Sequence, residues 1–204
     1  SGHPLEPYEE EWRKVISATT ADFQVDPEVG YTKVRDGARE IIGGIIVEKT
    51  VKHTKTNQMM AFLTVEDLFG TVEVVVFPRD YEKYRQYLEE DNKIFVKGRV
   101  SEEDDKASKL ICEKILPFGQ KKKELWIQFP DKETYLEEEA ITYGYLADSE
   151  GNDEVVIYCE KEKIVKKLPA NKNISINPQI LSRLMNHFGE NRVKVVEKAI
   201  ENHF

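Results

Sequence analysis

Two cysteines and four histidines among 204 residues leave little room for metal or disulfide chemistry. Cys112 and Cys159 lie far apart, each in an apolar, strand-like run. A disulfide framework or a zinc cluster needs more ligands at closer spacing, so the pair reads as two reduced core thiols. His3, His53, His187 and His203 form no HxxxH or HExxH pattern. The chain also lacks GxxxxGK[ST], GxGxxG and GxSxG, the motifs of phosphate cradles, dinucleotide sites and nucleophile elbows. Long apolar runs are missing too. The longest apolar stretch, Ile41 to Val47, is interrupted by Gly43 and Gly44, which excludes a membrane-spanning helix and a membrane partner. Ser1-Gly2-His3-Pro4 has neither the basic nor the apolar region of a signal peptide. It also has no initiator Met, so the chain reads as a piece of a longer, cytoplasmic protein.

What remains is ordinary globular material, 40% hydrophobic and 33% charged. A net charge of −8 argues against a polyanionic partner. Its distribution weakens that argument: residues 1–34 carry −4, residues 35–118 carry −2 and residues 119–204 carry −2. Local potential, not the total, decides what binds.

The chain divides into a lead-in and linker over 1–34, a β-rich domain over 35–118 and a small α/β domain over 119–204. In the lead-in, Trp12 and Ile16 form the docking face of a short helix. The middle segment reads as strands over Ile41–Val51, Met60–Glu66 and Thr71–Phe77, then a helix opened by Pro78, then strands over Lys93–Val100 and Leu110–Leu116. Gly43-Gly44 within the first strand suggests a bulge or bend. Three strands, a helix and two strands in about 80 residues is the order of a five-stranded OB-fold barrel, whose ligands cross strands 2–3 and loops L12 and L45. An open antiparallel sheet with one helix fits the same pattern. Downstream, Lys121-Lys122-Lys123 reads as a linker. Beyond it come a strand over Leu125–Phe129, a helix capped by Asp131 or Thr134, a hairpin over Glu154–Leu168, a helix between Asn177 and Gly189, and a final strand at Val193. The fold class is therefore mainly β with α+β content: an OB-fold barrel followed by a small mixed α/β domain.

Alternation assigns faces. Ala61, Leu63 and Val65 suit a barrel interior, which leaves Phe62 outside, where an aromatic ring can stack an unpaired base. Lys49, Lys52, His53, Lys55 and Asn57 fall in the L12 region, where phosphates would run. Lys97 and Arg99 alternate with buried positions on strand 4 and extend the basic set. Acids gather on the helix and in Glu102–Asp105, which directs a nucleic acid toward L12. No carboxylate pair has a catalytic pattern, and Asp67 reads as a turn residue that satisfies backbone N–H groups.

Several segments resemble one family. They are Ile42-Gly43-Gly44-Ile45-Ile46, Lys55 through Asp67, Gly70 through Pro78 and Val96-Lys97-Gly98-Arg99-Val100, with Ser1-Gly2-His3-Pro4-Leu5-Glu6-Pro7-Tyr8 ahead of them. Together they resemble the OB domain of bacterial DNA polymerase III alpha subunits and the segment before it. The resemblance is clearest over residues 1–118 and weaker over 119–204. It implies a C-terminal region of a replicative DNA polymerase whose Mg-dependent active site lies upstream. This chain would then hold no active site and no cofactor of its own. The implied partner is single-stranded template DNA, contacted through Lys49, Lys52 and Lys55. The C-terminal domain would dock the clamp loader's tau subunit or other replisome subunits. Leu68-Phe69 mimics the end of a sliding-clamp motif but lacks its upstream Gln. Phe62 through Asp67 also resembles the second strand of anticodon-binding OB domains in class II aminoacyl-tRNA synthetases. That leaves two alternatives: a protein-interaction module, and a tRNA-binding domain.

Overall fold

The computed structural model describes residues 2–199; His203 lies outside them. They fall into two compact units, one running to Gln120 and one of Lys121–Ala199. No helix among the described residues is long and apolar enough to cross a membrane.

The first unit is a closed barrel. Its strands are β1 (Arg39–His53), β2 (Met59–Glu66), β3 (Thr71–Val76), β4 (Lys93–Ser101) and β5 (Lys109–Pro117), ordered β1-β2-β3-β5-β4. Only β3 and β5 pair in parallel. β1 closes the barrel because it has two partners: residues 39–45 pair with β4, and residues 45–53 pair with β2. The interior is aliphatic, with Ile42, Ile46, Ala61, Leu63, Val65, Val74 and Ile94 fully buried. Helix α2 (Pro78–Tyr84) covers one end. Tyr81, Tyr84 and Leu88 are all buried as their spacing predicts, although Leu88 follows a 3-10 turn beyond the helix.

The bulge in β1 lies between Ile46 and Glu48, not at the glycine pair. Gly43 and Gly44 serve close approach instead. A Cβ on Gly44 would stand 2.3 Å from the Glu66 carbonyl oxygen, and one on Gly43 would stand 2.8 Å from the Trp12 ring. Ala18, Phe23 and Val34 of the lead-in join the barrel core. Helix α1 (Glu9–Val15) buries Trp12 completely, and its indole Nε1 donates to the Gly43 carbonyl at 2.8 Å. Phe95, Ile41 and Val15 complete that cluster. Asp67 anchors the next part of the lead-in. It is 2% exposed, and its carboxylate accepts from the Thr20 N–H and hydroxyl and from the N–H groups of Phe69 and Gly70. Asp67 thus ties the lead-in to the β2–β3 turn as well as shaping that turn.

The second unit is a four-stranded sheet, ordered β8-β7-β6-β9, with β6 (Lys121–Phe129), β7 (Glu150–Cys159), β8 (Ile164–Lys167) and β9 (Val193–Ala199). β6 and β7 pair in parallel across α3 (Lys132–Ala147); β8 and β9 run antiparallel to their neighbours. The lysines read as a linker are the opening residues of β6, because Lys121 through Lys123 pair with Ala199 through Glu197. Of the two candidate caps, Asp131 is the one used, accepting from the Thr134 N–H. Asn177 caps α4 (Pro178–Phe188) in the same way, and Gly189 leaves it at φ 98°. Both helices contribute to one core, where Leu125, Ile127, Phe129, Val155 and Ile157 meet Tyr135, Leu146, Ile180 and Leu184.

Both cysteines are buried and unbridged. Burial, reinforced by the charges of Asp80 and Glu113, pushes the Cys112 thiol up to about 12; burial raises Cys159 as well. We predict that neither thiol reacts with a disulfide reagent in the native chain within minutes at about pH 8, and that both react in denaturant. Rapid native labelling would contradict the packing. Asp67→Ala strips the acceptor from buried donors and should cost roughly 1.5–3 kcal/mol in urea unfolding.

Candidate nucleic-acid interface

Residues directly opposite in an antiparallel pair share a face. Thr50 lies opposite Phe62, and Phe62 opposite Val75. The bulge after Ile46 resets the alternation of β1, so Glu48, Thr50 and Lys52 point outward beside Thr64, Phe62 and Met60. Ala61, Leu63 and Val65 are fully buried, which leaves Phe62 half-buried on the outer surface. Around it lies an open groove of about 420 Å3, lined by Glu48, Thr50, Lys52, Thr64, Glu73 and Lys109.

The Lys52 ammonium sits 4.9 Å from the centre of the Phe62 ring. At an exposed site such a cation–π contact is worth about 0.5–1 kcal/mol. Lys109 lies 3.8 Å from Glu73 and 4.0 Å from Glu103 of the β4–β5 loop. The groove therefore holds two cations, Lys52 and Lys109, against two carboxylates, Glu48 and Glu73. Sequence reasoning missed Lys109, because the parallel register of β3 and β5 that brings it here has no local signature.

The other candidates divide by position. His53 ends β1, while Lys55 and Asn57 are exposed in the hairpin tip. A Thr54 N–H bond to the Gln58 carbonyl closes the tip, and Asn57 takes φ 61°. Lys49 has the opposite parity. It pairs with Leu63, and its Nζ lies 3.1 Å from Glu89, with only 16% of the side chain exposed. Lys97 and Arg99 lie on β4, which does not line the groove but pairs with both β1 and β5, which do. Arg99 is opposite Ile111, Ile111 adjoins Val75, and Val75 adjoins Phe62. Ile111 is two residues along β5 from Lys109, whose own partner is Ser101, so Arg99 borders the Lys109 end of the groove. The structure thus brings Lys52 and Phe62 together, sets His53, Lys55 and Asn57 at the adjoining tip and Arg99 at the border beside Lys109, and leaves Lys49 and Lys97 outside the groove lining. A ring absent from the sequence-based set also adjoins this face. Phe77, two residues beyond Val75, is exposed and lines a second cleft of about 780 Å3 with Asn57, Met59 and Arg79. Continuing the alternation of β3 past Val75 would have found it. Leu68 and Phe69 sit in the β2–β3 turn, where the Phe69 ring lies 6.2 Å from that of Trp12.

Among the described residues, no group of three or more His, Cys, Asp or Glu side chains could hold a metal ion.

Strand order, closure and the helix after β3 define an OB-fold, and residues 41–118 match the family of OB-fold nucleic acid binding domains. Relatives extend the likeness beyond the barrel. The chain is 28% identical to the DNA polymerase III subunit alpha of Bacillus subtilis over 95% of its own length and 17% of that protein's. Against the same subunit of Borreliella burgdorferi it is 33% identical over 57% of its length and 9% of that protein's. Among solved structures, the SSB domain of a Synechococcus protein is similar at a TM-score of 0.35 and 15% identity, covering 40% of this chain and 96% of that one. The chain fits a segment of a DNA polymerase III alpha subunit. It spans less than a fifth of the length of these two relatives.

If Lys49 serves the fold, a double-mutant cycle of Lys49→Ala and Glu89→Ala should give a coupling below about 1 kcal/mol that shrinks as salt rises. No measurable coupling would release Lys49 from this pairing.

Proposed function

We propose that the barrel binds unpaired nucleic acid across the outer face of β1, β2, β3 and β5, and that in a replicative polymerase alpha subunit the bound strand is single-stranded template DNA. The carrying observation is the outward Phe62 ring with Lys52 above it, a stacking surface and a phosphate ligand in one contact. The OB-fold match and the alpha-subunit relatives support the same reading. A base stacks on Phe62 and displaces the Lys52 ammonium toward the backbone. Lys109 neutralises a phosphate at one end of the groove, and Lys55, with His53 and Asn57, does so at the hairpin tip. Lys49 acts outside this groove, through its pairing with Glu89. A strand that leaves the groove at Lys109 meets Arg99 on the adjoining β4. Polymerisation itself, with its Mg chemistry, belongs to parts of the relatives that this chain does not span.

A second reading is favoured by the balanced charge of the groove, where Glu48 and Glu73 offset Lys52 and Lys109. Such a surface also suits a protein partner, and a clamp-loader tau subunit or another replisome subunit is the candidate.

Three phosphates neutralised on a single strand at about 0.7 each predict a log–log salt slope near −2. Replacing Lys52, Lys55 and Lys109 by Ser should flatten that slope, whereas Lys49→Ser should leave it unchanged. Phe62→Ala should weaken binding of an oligothymidylate by about 1–3 kcal/mol. Unaltered affinity in Phe62→Ala removes stacking from the account. A preference for structured tRNA over DNA of equal length would favour the anticodon-type reading. Retention of tau after nuclease treatment, without oligonucleotide binding, would favour protein docking.

A further inference from the structure

We propose that the second unit holds a separate single-stranded nucleic-acid site on the face of its sheet opposite the helices, with a base against Trp126 and Tyr158 and phosphates at Arg192 and Lys194. The proposal does not rest on the reading of the barrel.

Both helices lie on one face of this sheet, with the core between. On the other face, a single row of opposed residues crosses all four strands: Lys167, Val156, Trp126 and Lys194. Gln128 and Tyr158 are opposed in the next row. The two aromatic side chains are half-buried and, with Gln128, Asn191, Arg192 and Lys194, line an open pocket of about 260 Å3. The indole is held in place by its Nε1–H, which donates to Glu124 at 2.9 Å. Rings on an open sheet with amides beside them are the elements that stack bases and read their edges.

Charge selects the partner. The acids of α3, including Glu133, Glu137, Glu138 and Glu139, lie in the helical layer. The sheet face carries Lys122, Lys167, Arg192, Lys194 and Lys198 against Glu124, Glu154 and, at its border, Glu160. Each of the two central carboxylates is already engaged. Glu124 lies 3.2 Å from Lys198, and Glu154 lies 2.7 Å from Lys122 and 2.5 Å from Lys167. Burial alone would push the Glu154 carboxyl up, but its bonds to the two lysines outweigh that and hold it below the ordinary value. Arg192 and Lys194 make no ion pair among the described residues, and they flank the pocket. An aromatic pocket edged by uncommitted cations complements a polyanion with flat, stackable groups better than an acidic or apolar protein surface.

Fluorescence isolates this site, because the chain has two tryptophans and Trp12 is fully buried in the other unit. We expect oligothymidylate, added to the full chain, to quench emission saturably. The quench should persist in Phe62→Ala and vanish in Trp126→Phe. Arg192→Ser with Lys194→Ser, both exposed positions, should lower its log–log salt slope by about 1.4. Tyr158→Ala should weaken it about 5- to 150-fold. No quench, a quench indifferent to the Arg192 and Lys194 pair, or one abolished by Phe62→Ala would overturn the proposal. So would emission that shifts with tau but not with DNA. Failure of the barrel reading shows separately, as unchanged affinity in Phe62→Ala while the Trp126 signal remains.

Discussion

The first unit depends on the double pairing of β1. One 15-residue strand satisfies β4 with its first half and β2 with its second. A chain can do this only if its midpoint lets neighbours approach closely and its alternation can be reset. Gly43 and Gly44 supply the approach, with no room for a Cβ beside Phe95, Trp12 and the Glu66 carbonyl. The irregularity after Ile46 supplies the reset. Which side chains face the groove follows from that one residue of slip: Lys52 reaches the Phe62 ring, and Lys49, three positions earlier, turns toward Glu89.

Much of this was legible in the sequence, and the pattern of misses is physical. The alternation Ala61-Phe62-Leu63-Thr64-Val65 gave the correct interior and left Phe62 outside. Strand order and the helix after β3 gave the barrel. A bulge has no composition of its own, so the parity of Lys49 could not be read. Strand pairing between distant segments is equally silent, which is why Lys109 joined the groove unannounced and why Arg99 is found beside it on the adjoining strand. The lysines at 121–123 misled for a different reason. A run of like charge reads as solvated linker, yet the consecutive Lys121 and Lys122 find Glu197 and Glu154 on neighbouring strands.

The lead-in illustrates how a segment with little regular structure becomes part of a core. Its order comes from a few specific attachments: the Trp12 indole on the Gly43 carbonyl, the Thr20 hydroxyl and N–H on Asp67, and the Phe23 carbonyl accepting from Ser108. These fix three separate barrel elements, β1, the β2–β3 turn and the start of β5. They also cover the outer surface near Phe95. The face that carries Phe62 is left open, as the groove.

The contact between Lys52 and Phe62 has an energetic consequence of its own. The ring already has an intramolecular neighbour, the Lys52 ammonium, which a nucleobase stacking there as proposed would have to evict. The net gain is then a difference between two comparable attractions, and the evicted ammonium can recoup part of its loss on a nearby phosphate. On the proposed reading such a grip would be shallow at each nucleotide and cheap to release, which suits a surface over which a polymer slides more than one on which it parks.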